Sequence, residues 1–535
     1  MYICDTGGFF QTSFLNVLGK DGSNWPDDVI SVEQYRKIEE GKERRSGAIL
    51  DEKMMLYNRE ENLALASILR ELDNSFQSLG IKLSAQQWFG PGQAAQAWMK
   101  SRAPTSAQIQ ERIPEWFLDA ARKSYFGGWF EIMAHGIIPG NSHEYDINSA
   151  YPYIIASLPC LLHGVYDRGK GKPKPNLEQK TFYLVRARVE TTGDNRRYIG
   201  TMLHRDKRGR ICRPLKTEGW FWKDELDSAV NAGMIGKIKY HEWMSYNPCK
   251  CPSPMRGVRG LYETRLRVGK DRPLGKACKL IYNSKYGKFA QSVGNPMFGN
   301  PVYASLITSG CRTMILDAIG THPNGSKDVL MVATDAVYFV TPHPSLNEGN
   351  QLGEWEHKVK SNLTLFKPGV YWDDHAREEI KRGEHPNFKA RGISAKDFAD
   401  SIMDVDVMFD AWFDGDRIAD LESWPSVTYT PNFTMTTALQ ALIQHDWSLA
   451  GEVHTDKEMT QNSYPGEKRS DRAYLDNEYG FFRTMPKKVE DYHSVEYTKR
   501  FGMDNPWSQE FLEQHGITPD EFPATGIFRV LRGQE

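Results

Sequence analysis

No apolar run in the 535 residues approaches the roughly 20 that a membrane-spanning helix requires, so an integral membrane protein is not expected. The N-terminus, Met1-Tyr2-Ile3-Cys4-Asp5, lacks the basic and apolar regions of a signal peptide, which argues against secretion. Cysteine is scarce. The seven that occur (Cys4, Cys160, Cys212, Cys249, Cys251, Cys278 and Cys311) are scattered and odd in number, a usage that fits reduced thiols inside a cell. Cys249 and Cys251 have no second pair at metal-binding spacing, so zinc is not expected. Excess charge of one sign is missing too: 67 Lys and Arg against 69 Asp and Glu leave a net charge of -2. A nucleic-acid partner would therefore need basic residues concentrated locally. No internal repeat is visible. What is present, 40% hydrophobic and 12% aromatic residues, supports large packed cores. At about 100 to 200 residues per domain, the length corresponds to three or four structural units.

Leu65, Ile68, Leu69, Leu72, Phe76 and Leu79 recur at three- and four-residue spacing, which predicts a helix over 57–81, capped by Asn58 with Glu61 and ended by Gly80. Turn-rich sequence around Pro104 places a boundary and a linker near residue 105. His143 to Ile147 reads as a strand, and Pro152 suits the first turn of a short helix through Ile155, so Asp146 falls at a strand end. A Lys-, Gly- and Pro-rich stretch at 168–180 precedes Phe182 to Glu190, where Val185, Ala187 and Val189 alternate with charged residues. This opens a separate, strand-containing insertion. Within it, Arg205, Lys207, Arg208, Arg210 and Arg213 form a basic run, either a solvated loop or a track for phosphates. Residues 256–290 are helix-like and basic, and 302–319 are helix-like. Val329 to Val332 and Val337 to Val340 flank Ala333-Thr334-Asp335-Ala336, a hairpin with an acid at its tip.

Two aspartates at strand ends, separated by a helix bearing lysine and arginine, permit transfer between polyphosphates. Carboxylates bind divalent cations through oxygen ligands, metals clamp attacking and leaving oxygens, and fixed cations neutralise developing charge. Taken alone, each acid reads more simply as a capped turn or surface residue.

The motifs and their order add to this. Tyr145-Asp146-Ile147-Asn148-Ser149-Ala150-Tyr151-Pro152 resembles the first polymerase motif of family B DNA polymerases, and Lys279 to Gly287, with lysine before Asn283-Ser284-Lys285-Tyr286-Gly287, resembles the second. Ala333-Thr334-Asp335-Ala336 resembles the third, usually Asp-Thr-Asp-Ser, and Tyr125-X-Gly127-Gly128 resembles the linker motif of the protein-primed, viral and organellar-plasmid branch. The resemblance spans about residues 105–395. It implies an α+β multidomain right-hand architecture (palm with antiparallel sheet, helical fingers, thumb) plus a vestigial exonuclease-like N-terminal domain. The implied divisions are 1–105 truncated exonuclease-like, 106–160 first part of the palm, 161–254 palm insertion, 255–290 fingers, 291–395 second part of the palm, and 396–535 thumb and C-terminal region.

Carried over residue by residue, the resemblance makes Asp146 and Asp335 the catalytic pair, holding two Mg²⁺ ions with the Ile147 carbonyl as a further ligand and Mn²⁺ as a substitute. Ser149, Tyr151, Arg267, Lys270, Lys279, Asn283, Tyr286 and Gly287 are the implied nucleotide-binding residues. Tyr151 would exclude a 2′-hydroxyl sterically. Tyr125, Gly127 and Gly128, with Lys367, Tyr371, Lys389 and Arg391 of primer-grip-like segments, are the implied DNA contacts. The partners implied are primer-template DNA and dNTPs, with a terminal protein or a separately encoded exonuclease subunit as further candidates, in the cytoplasm of a bacterial host and away from membranes.

The chain departs from the family pattern in places. Ala333 replaces the first aspartate of the third motif, and Lys285 stands where an apolar residue is usual. Asp5-Thr6-Gly7 lacks the partner glutamate of a proofreading nuclease, and Tyr57-Asn58-Arg59-Glu60-Glu61 has Glu61 where an aspartate belongs, so no intrinsic 3′-5′ exonuclease is expected. The function implied is a DNA-directed DNA polymerase replicating a phage, viral or plasmid genome. The alternatives are an impaired polymerase-fold DNA-binding scaffold and a self-priming primase-polymerase.

Overall fold

The computed structural model describes residues 7–10, 13–43, 51–88, 90–174, 180–191, 199–205, 211–292, 294–384, 386–391, 393, 395–399 and 401–413, with strand segments at 426–429, 457–460, 472–475 and 481–486. Before residue 129 the regular elements among them are helices. The predicted apolar stripe lies on one long helix, Glu52–Ser78, which begins earlier than its periodicity indicated. Asn58 is not its cap. The Asp51 carboxylate accepts the Met54 N–H at 2.8 Å, satisfying an orphan amide at the positive end of the helix dipole. Glu61 lies inside the helix and pairs with Lys42 at 3.5 Å. Gly80, at φ 74, ends the run as predicted, with the Ile81 N–H donating to the Phe76 carbonyl.

Residue 105 is not in a linker. Thr105 caps the helix Ser106–Arg112 through a reciprocal bond with Gln108, and the Ser106 N–H donates to the Met297 carbonyl at 2.8 Å. The turn residues there start a helix that is tied to the loop after the helix Pro273–Ala290. The preceding helix, Pro91–Met99, packs on that same 273–290 helix, and the two share one apolar core.

The central sheet is antiparallel, in the spatial order Trp129–Ile132, Val329–Thr334, Ala336–Phe339, Ala134–Ile147, Trp355–Lys367, Val370–Trp372, Lys389–Ala390. The predicted hairpin forms its heart. Val332, Val337 and Phe339 are fully buried against Ile315, Leu316 and Ile319 of the helix Pro301–Thr321. That packing holds the hairpin tip at a fixed height beside the end of the Asp146 strand. Ile402, Val405 and Phe409 of the helix Ser401–Phe413 pack on Phe366, Val370 and Trp372 at the far edge. The rest of 396–535, read as thumb, lies outside the described residues apart from 396–399 and the strand segments, of which Phe481–Pro486 pairs with Ala134–Ile147.

The insertion is a four-stranded antiparallel sheet, ordered Val165–Lys170, Lys237–Asn247, Phe182–Glu190, Lys216–Trp222. Val185, Ala187 and Val189 face inward onto Leu226 and Ala229 of the helix Lys223–Asn231, as their alternation requires. The basic run divides. Residues 206–210 lie outside the described set, while Arg213 is buried, its guanidinium 3.8 Å from the Trp129 ring centroid and 3.8 Å from Glu225. Arg213 is therefore neither solvated nor free for phosphates; a buried charge persists only beside a partner. Cys249 and Cys251, which have no second pair at metal-binding spacing in the sequence, are met in the fold by a pair of different spacing: Cys160, His163, Cys249 and Cys251 converge at the base of this insertion. No helix among the described residues is long and apolar enough to cross a membrane.

Candidate active site

Asp146 and Asp335 come together at the backbone level. Ala336 sits opposite both Asp146 and Ala333 in the sheet, and the Ile147 N–H donates to the Asp335 carbonyl at 2.9 Å. Thr334 turns the hairpin with φ 66, a left-handed conformation costly for a β-branched residue, and the Asp335 N–H closes the turn onto the Ala333 carbonyl. Both carboxylates are half-buried. Burial, then the charges of Asp335 and Glu144, pushes the Asp146 carboxyl up to about 7 despite Lys358, and burial raises Asp335 despite Lys389. Crowded carboxylates that the neighbouring lysines leave under-neutralised are a donor set suited to a divalent cation, which favours hard oxygen ligands. Glu356 lies directly opposite Asp146 in register, on the same sheet face, and adds to its negative field. Sequence reading missed it, because cross-strand register is not visible in one strand.

After Ile147, itself fully buried, the chain turns sharply through Ser149, at φ 52, into the helix Ala150–Ala156. Asn148 clamps the turn: its side-chain amide donates to the Gly349 carbonyl at 2.8 Å, and its backbone N–H donates to the Glu354 carbonyl. Tyr151 follows on that helix and packs edge-on against Tyr286, ring centroids 4.7 Å apart. The Tyr286 hydroxyl bonds that of Tyr125. The three tyrosines thus link the first motif, the second motif and the segment before the sheet. Burial raises the phenols of Tyr151 and Tyr286, the latter to about 12, so both are neutral O–H groups.

Lys279 is exposed on the helix Pro273–Ala290, and partial desolvation followed by the positive charges of Arg265 and Lys270 lowers its ammonium below the usual value. Arg265, not Arg267, is the arginine of the helix Gly257–Val268 that acts on both Lys279 and Tyr282, whereas Arg267 lies on the exposed side. The two differ by two positions on a 3.6-residue turn, which puts them on different faces. Asn283 and Gly287 are exposed on the same helix as Lys279, and a Cβ at Gly287 would meet nothing within 4 Å. Lys285 points the other way. It is fully buried, 3.9 Å from the Trp98 ring centroid, and donates to the Ile281 carbonyl, so it packs the helix onto Pro91–Met99.

Gly127 and Gly128 differ in role. A Cβ at Gly128 would lie 2.6 Å from the Thr334 Cγ2, so glycine there is required by the hairpin; at Gly127 nothing lies within 4 Å. The Gly127 and Phe126 carbonyls accept from Arg312 at 2.7 and 3.0 Å, and Arg312 makes a two-point pair with Glu225 at 2.7 and 2.8 Å. No motif marked Arg312; it lies on a helix whose other charged residue is Asp317.

Tyr371 and Lys389 are opposite one another in the sheet, and Lys389 acts on Asp335. The Tyr371 hydroxyl is buried at 3.0 Å from that of Tyr338, and the carboxylates of Glu144, Asp146 and Asp335 help keep it protonated after burial. Lys367 starts the turn after Trp355–Lys367, half-buried, and Arg391 lies over the Phe130 ring at 4.9 Å with its N–H donating to the Gly369 carbonyl. Tyr371 and Lys389 therefore border the carboxylate pair; Lys367 and Arg391 bound the turn beside it.

Residues 21–297 match the family described as DNA polymerase type B, organellar and viral. The chain is 28% identical over 272 residues to a DNA polymerase of Acidianus bottle-shaped virus (isolate Italy/Pozzuoli), covering 48% of this chain and 39% of that protein. It is 28% identical over 174 residues to a probable DNA polymerase of Ascobolus immersus, covering 31% of this chain and 13% of that protein. The matches thus span less than half the length of either relative. Among solved structures, the chain is similar to Phi29 DNA polymerase in its orthorhombic form (TM-score 0.51, 14% identity, 69% of this chain and 66% of that one). It is also similar to Phi29 DNA polymerase complexed with primer-template DNA and incoming nucleotide substrates (TM-score 0.52, 13% identity, 79% and 77% covered). At these identities the likeness shows a shared polymerase fold.

Proposed function

The chain belongs to the organellar and viral type B DNA polymerases, and on that premise we propose that it is a DNA-directed DNA polymerase that extends a primer 3′-hydroxyl with deoxynucleoside triphosphates. The observation that carries this reading is the juxtaposition of Asp146 and Asp335, set by the register of Asp146 opposite Ala336 and by the Ile147 N–H bond to the Asp335 carbonyl. The donor set fits divalent cations, with Asp146, Asp335 and the Ile147 carbonyl as the groups that would hold Mg²⁺ or Mn²⁺. Bound there, two such ions would lower the charge barrier between the attacking 3′-oxygen and the α-phosphate.

The protein's own groups do the rest. Lys279, with Arg265 and Lys270 beside it, holds the triphosphate and counters charge on the leaving pyrophosphate. Ser149 and the amides of its turn orient the β- and γ-phosphates. Tyr151, held edge-on by Tyr286, closes the space beside C2′, so a ribonucleotide would collide with its ring. The exposed face of Asn283 and Gly287 leaves room for the templating base pair. Lys389 and Tyr371 steady the primer end near Asp335, with Lys367 and Arg391 further along its backbone.

In this reading residues 106–160 and 291–395 form the palm, 255–290 the fingers, 161–254 an insertion and 396–535 the thumb region, while 1–105 are an exonuclease-like remnant without nuclease activity. The pairing of Glu61 with Lys42 supports the last point, since it occupies that carboxylate. Tyr125, Gly127 and Gly128 act on DNA through the position of the 125–128 segment. The genome replicated would be that of a phage, virus or plasmid in the host cytoplasm, with a terminal protein or a separate exonuclease as further partners. Ala333 favours a second reading, a DNA-binding scaffold with impaired chemistry, because the hairpin lacks a second carboxylate beside Asp335. Primer extension on a labelled template, with and without primer, separates these: extension excludes the scaffold, and product without primer indicates self-priming.

A further inference from the structure

Two short segments far apart in sequence meet where the insertion joins the body. Cys160 and His163 follow the helix Ala150–Ala156 and precede the strand Val165–Lys170; Cys249 and Cys251 follow the strand Lys237–Asn247. These strands are antiparallel neighbours, with Val165 opposite Asn247, so the ends of the insertion are brought side by side. One donor atom from each of the four residues lies within 4.8 Å of every other, and the His163 Nδ1 is 3.4 Å from both the Cys160 and the Cys251 Sγ. With Zn–S near 2.3 Å and Zn–N near 2.0 Å, a tetrahedral zinc ion sets its donor atoms about 3.6 to 3.8 Å apart, close to this spacing.

The backbone around the cluster is built to hold it. The Tyr303 hydroxyl donates to the Pro159 carbonyl at 2.6 Å, the Tyr246 hydroxyl to the Cys160 carbonyl, and the Tyr166 hydroxyl to the Leu161 carbonyl at 2.8 Å. A Cβ at Gly164 would lie 2.3 Å from the Asn247 carbonyl oxygen, so glycine there permits the close approach that sets His163 beside Cys251. A disulfide would use two of the three thiols and leave the third and the imidazole without a role. Three thiols and one imidazole form instead a complete four-ligand set for a thiophilic tetrahedral cation.

We infer that Cys160, His163, Cys249 and Cys251 bind one structural Zn²⁺ ion that staples the two ends of the 161–254 insertion to each other and to the body of the protein. Four protein ligands leave no position for water or substrate, which makes the site structural and separate from the carboxylate pair. Binding releases the three thiol protons and converts the cluster to a Cys₃His zinc centre. The site closes a long loop, where a clip removes the most conformational freedom from the unfolded chain.

Metal content of the full-length protein tests this without nucleotide or DNA. Protein purified without chelator is expected to carry one zinc per chain by elemental mass spectrometry. Cys249→Ser and His163→Ala should bring it to background, whereas Cys212→Ser should retain it. Should the ligand variants fold poorly, the wild-type chain serves: stripped with chelator and given Co²⁺, it should show thiolate-to-cobalt charge transfer and the visible bands of tetrahedral coordination. Chelation should also speed protease cleavage within 161–254, and zinc should restore resistance. Absence of zinc together with absence of the cobalt spectrum, iron in place of zinc, a Cys–Cys disulfide found by peptide mapping, or zinc content unchanged by the ligand substitutions would each overturn the assignment.

Discussion

The Asp335 carbonyl accepts the Ile147 N–H at 2.9 Å, which ties the hairpin tip to the end of the Asp146 strand. The carboxylates are thus placed by main-chain bonding, with Ala336, the residue after Asp335, directly opposite Asp146 in the sheet, and depend little on the side chain at position 333. A hairpin whose core is buried keeps this geometry when a surface carboxylate is lost, so the alanine there is expected to weaken cation affinity more than to displace Asp335.

That crowding has a pH signature. The Asp146 carboxyl is raised from 3.8 to about 7 in the folded chain, so the native state binds more protons than the unfolded state between these values. Metal-free stability should therefore fall as pH rises across this window, and the loss should be complete above about pH 7. A divalent cation competes with the proton, so the rise in melting temperature produced by Mg²⁺ or Mn²⁺ should grow over the same range. Asp146→Asn should flatten the pH dependence and stabilise the metal-free protein at pH 8 by on the order of 2 kcal/mol after allowance for solvent screening. Thermal melts with and without cation at several pH values check this; a cation effect that shrinks with rising pH would contradict it.

Gly128→Ala and Gly127→Ala should behave differently. The first drives a Cβ to 2.6 Å from the Thr334 Cγ2, and Thr334 has little freedom at φ 66. Displacing the hairpin by a fraction of an ångström should slow incorporation by about tenfold to a hundredfold with primer-template affinity largely kept. Gly127→Ala meets no protein atom within 4 Å beyond its chain neighbours and should leave the single-turnover rate close to wild type, with any loss confined to DNA affinity. Single-turnover rates and DNA binding measured on both variants check this. Loss of DNA affinity in Gly128→Ala at an unchanged rate would assign that glycine to DNA instead.

Arg312 is buried between Glu225 and the carbonyls of Phe126 and Gly127. Arg312→Met leaves Glu225 with Arg213 alone and those carbonyls without their donor. It should cost about 3 to 5 kcal/mol, read as a lowered denaturant midpoint. A change below about 1 kcal/mol would show that the pair is not buried in solution.

Tyr151→Ala should admit ribonucleotides, because its ring, fixed edge-on at 4.7 Å from Tyr286, is the bulk closing the sugar pocket in the proposed site. The ratio of dATP to ATP incorporation should fall by at least about tenfold, roughly the 1.4 kcal/mol that a modest steric contact supplies. An unchanged ratio would remove Tyr151 from that role.

Much of this site could be read from local sequence. The hairpin around Asp335, the strand ending near Asp146 and the helix carrying Lys279 each announce themselves through short-range periodicity and turn chemistry, and all three form. What sequence reading missed arises across strands and between distant segments. Glu356 enters through register, Arg312 through a mostly apolar stretch of sequence, and Arg265, in addition to the expected Arg267, through the phase of one helix. The Cys160–His163 and Cys249–Cys251 pairs have unlike spacings and meet only because Val165 and Asn247 pair. The helix cap at Asp51 was displaced by a more tempting Asn58, since local signals fix that a helix exists better than where it starts.

The central claim rests on the juxtaposition of Asp146 and Asp335, and primer extension by the wild type beside Asp335→Ala tests it most directly. Purified protein, a labelled primer-template, dNTPs and Mg²⁺ or Mn²⁺ should give full extension for the wild type. Asp335→Ala should bind the same primer-template with similar affinity yet incorporate about 10³-fold more slowly or not at all, since it removes oxygen ligands worth several kcal/mol of transition-state stabilisation. Extension by Asp335→Ala at the wild-type rate, or no extension by the well-folded wild type with either cation, would contradict the account.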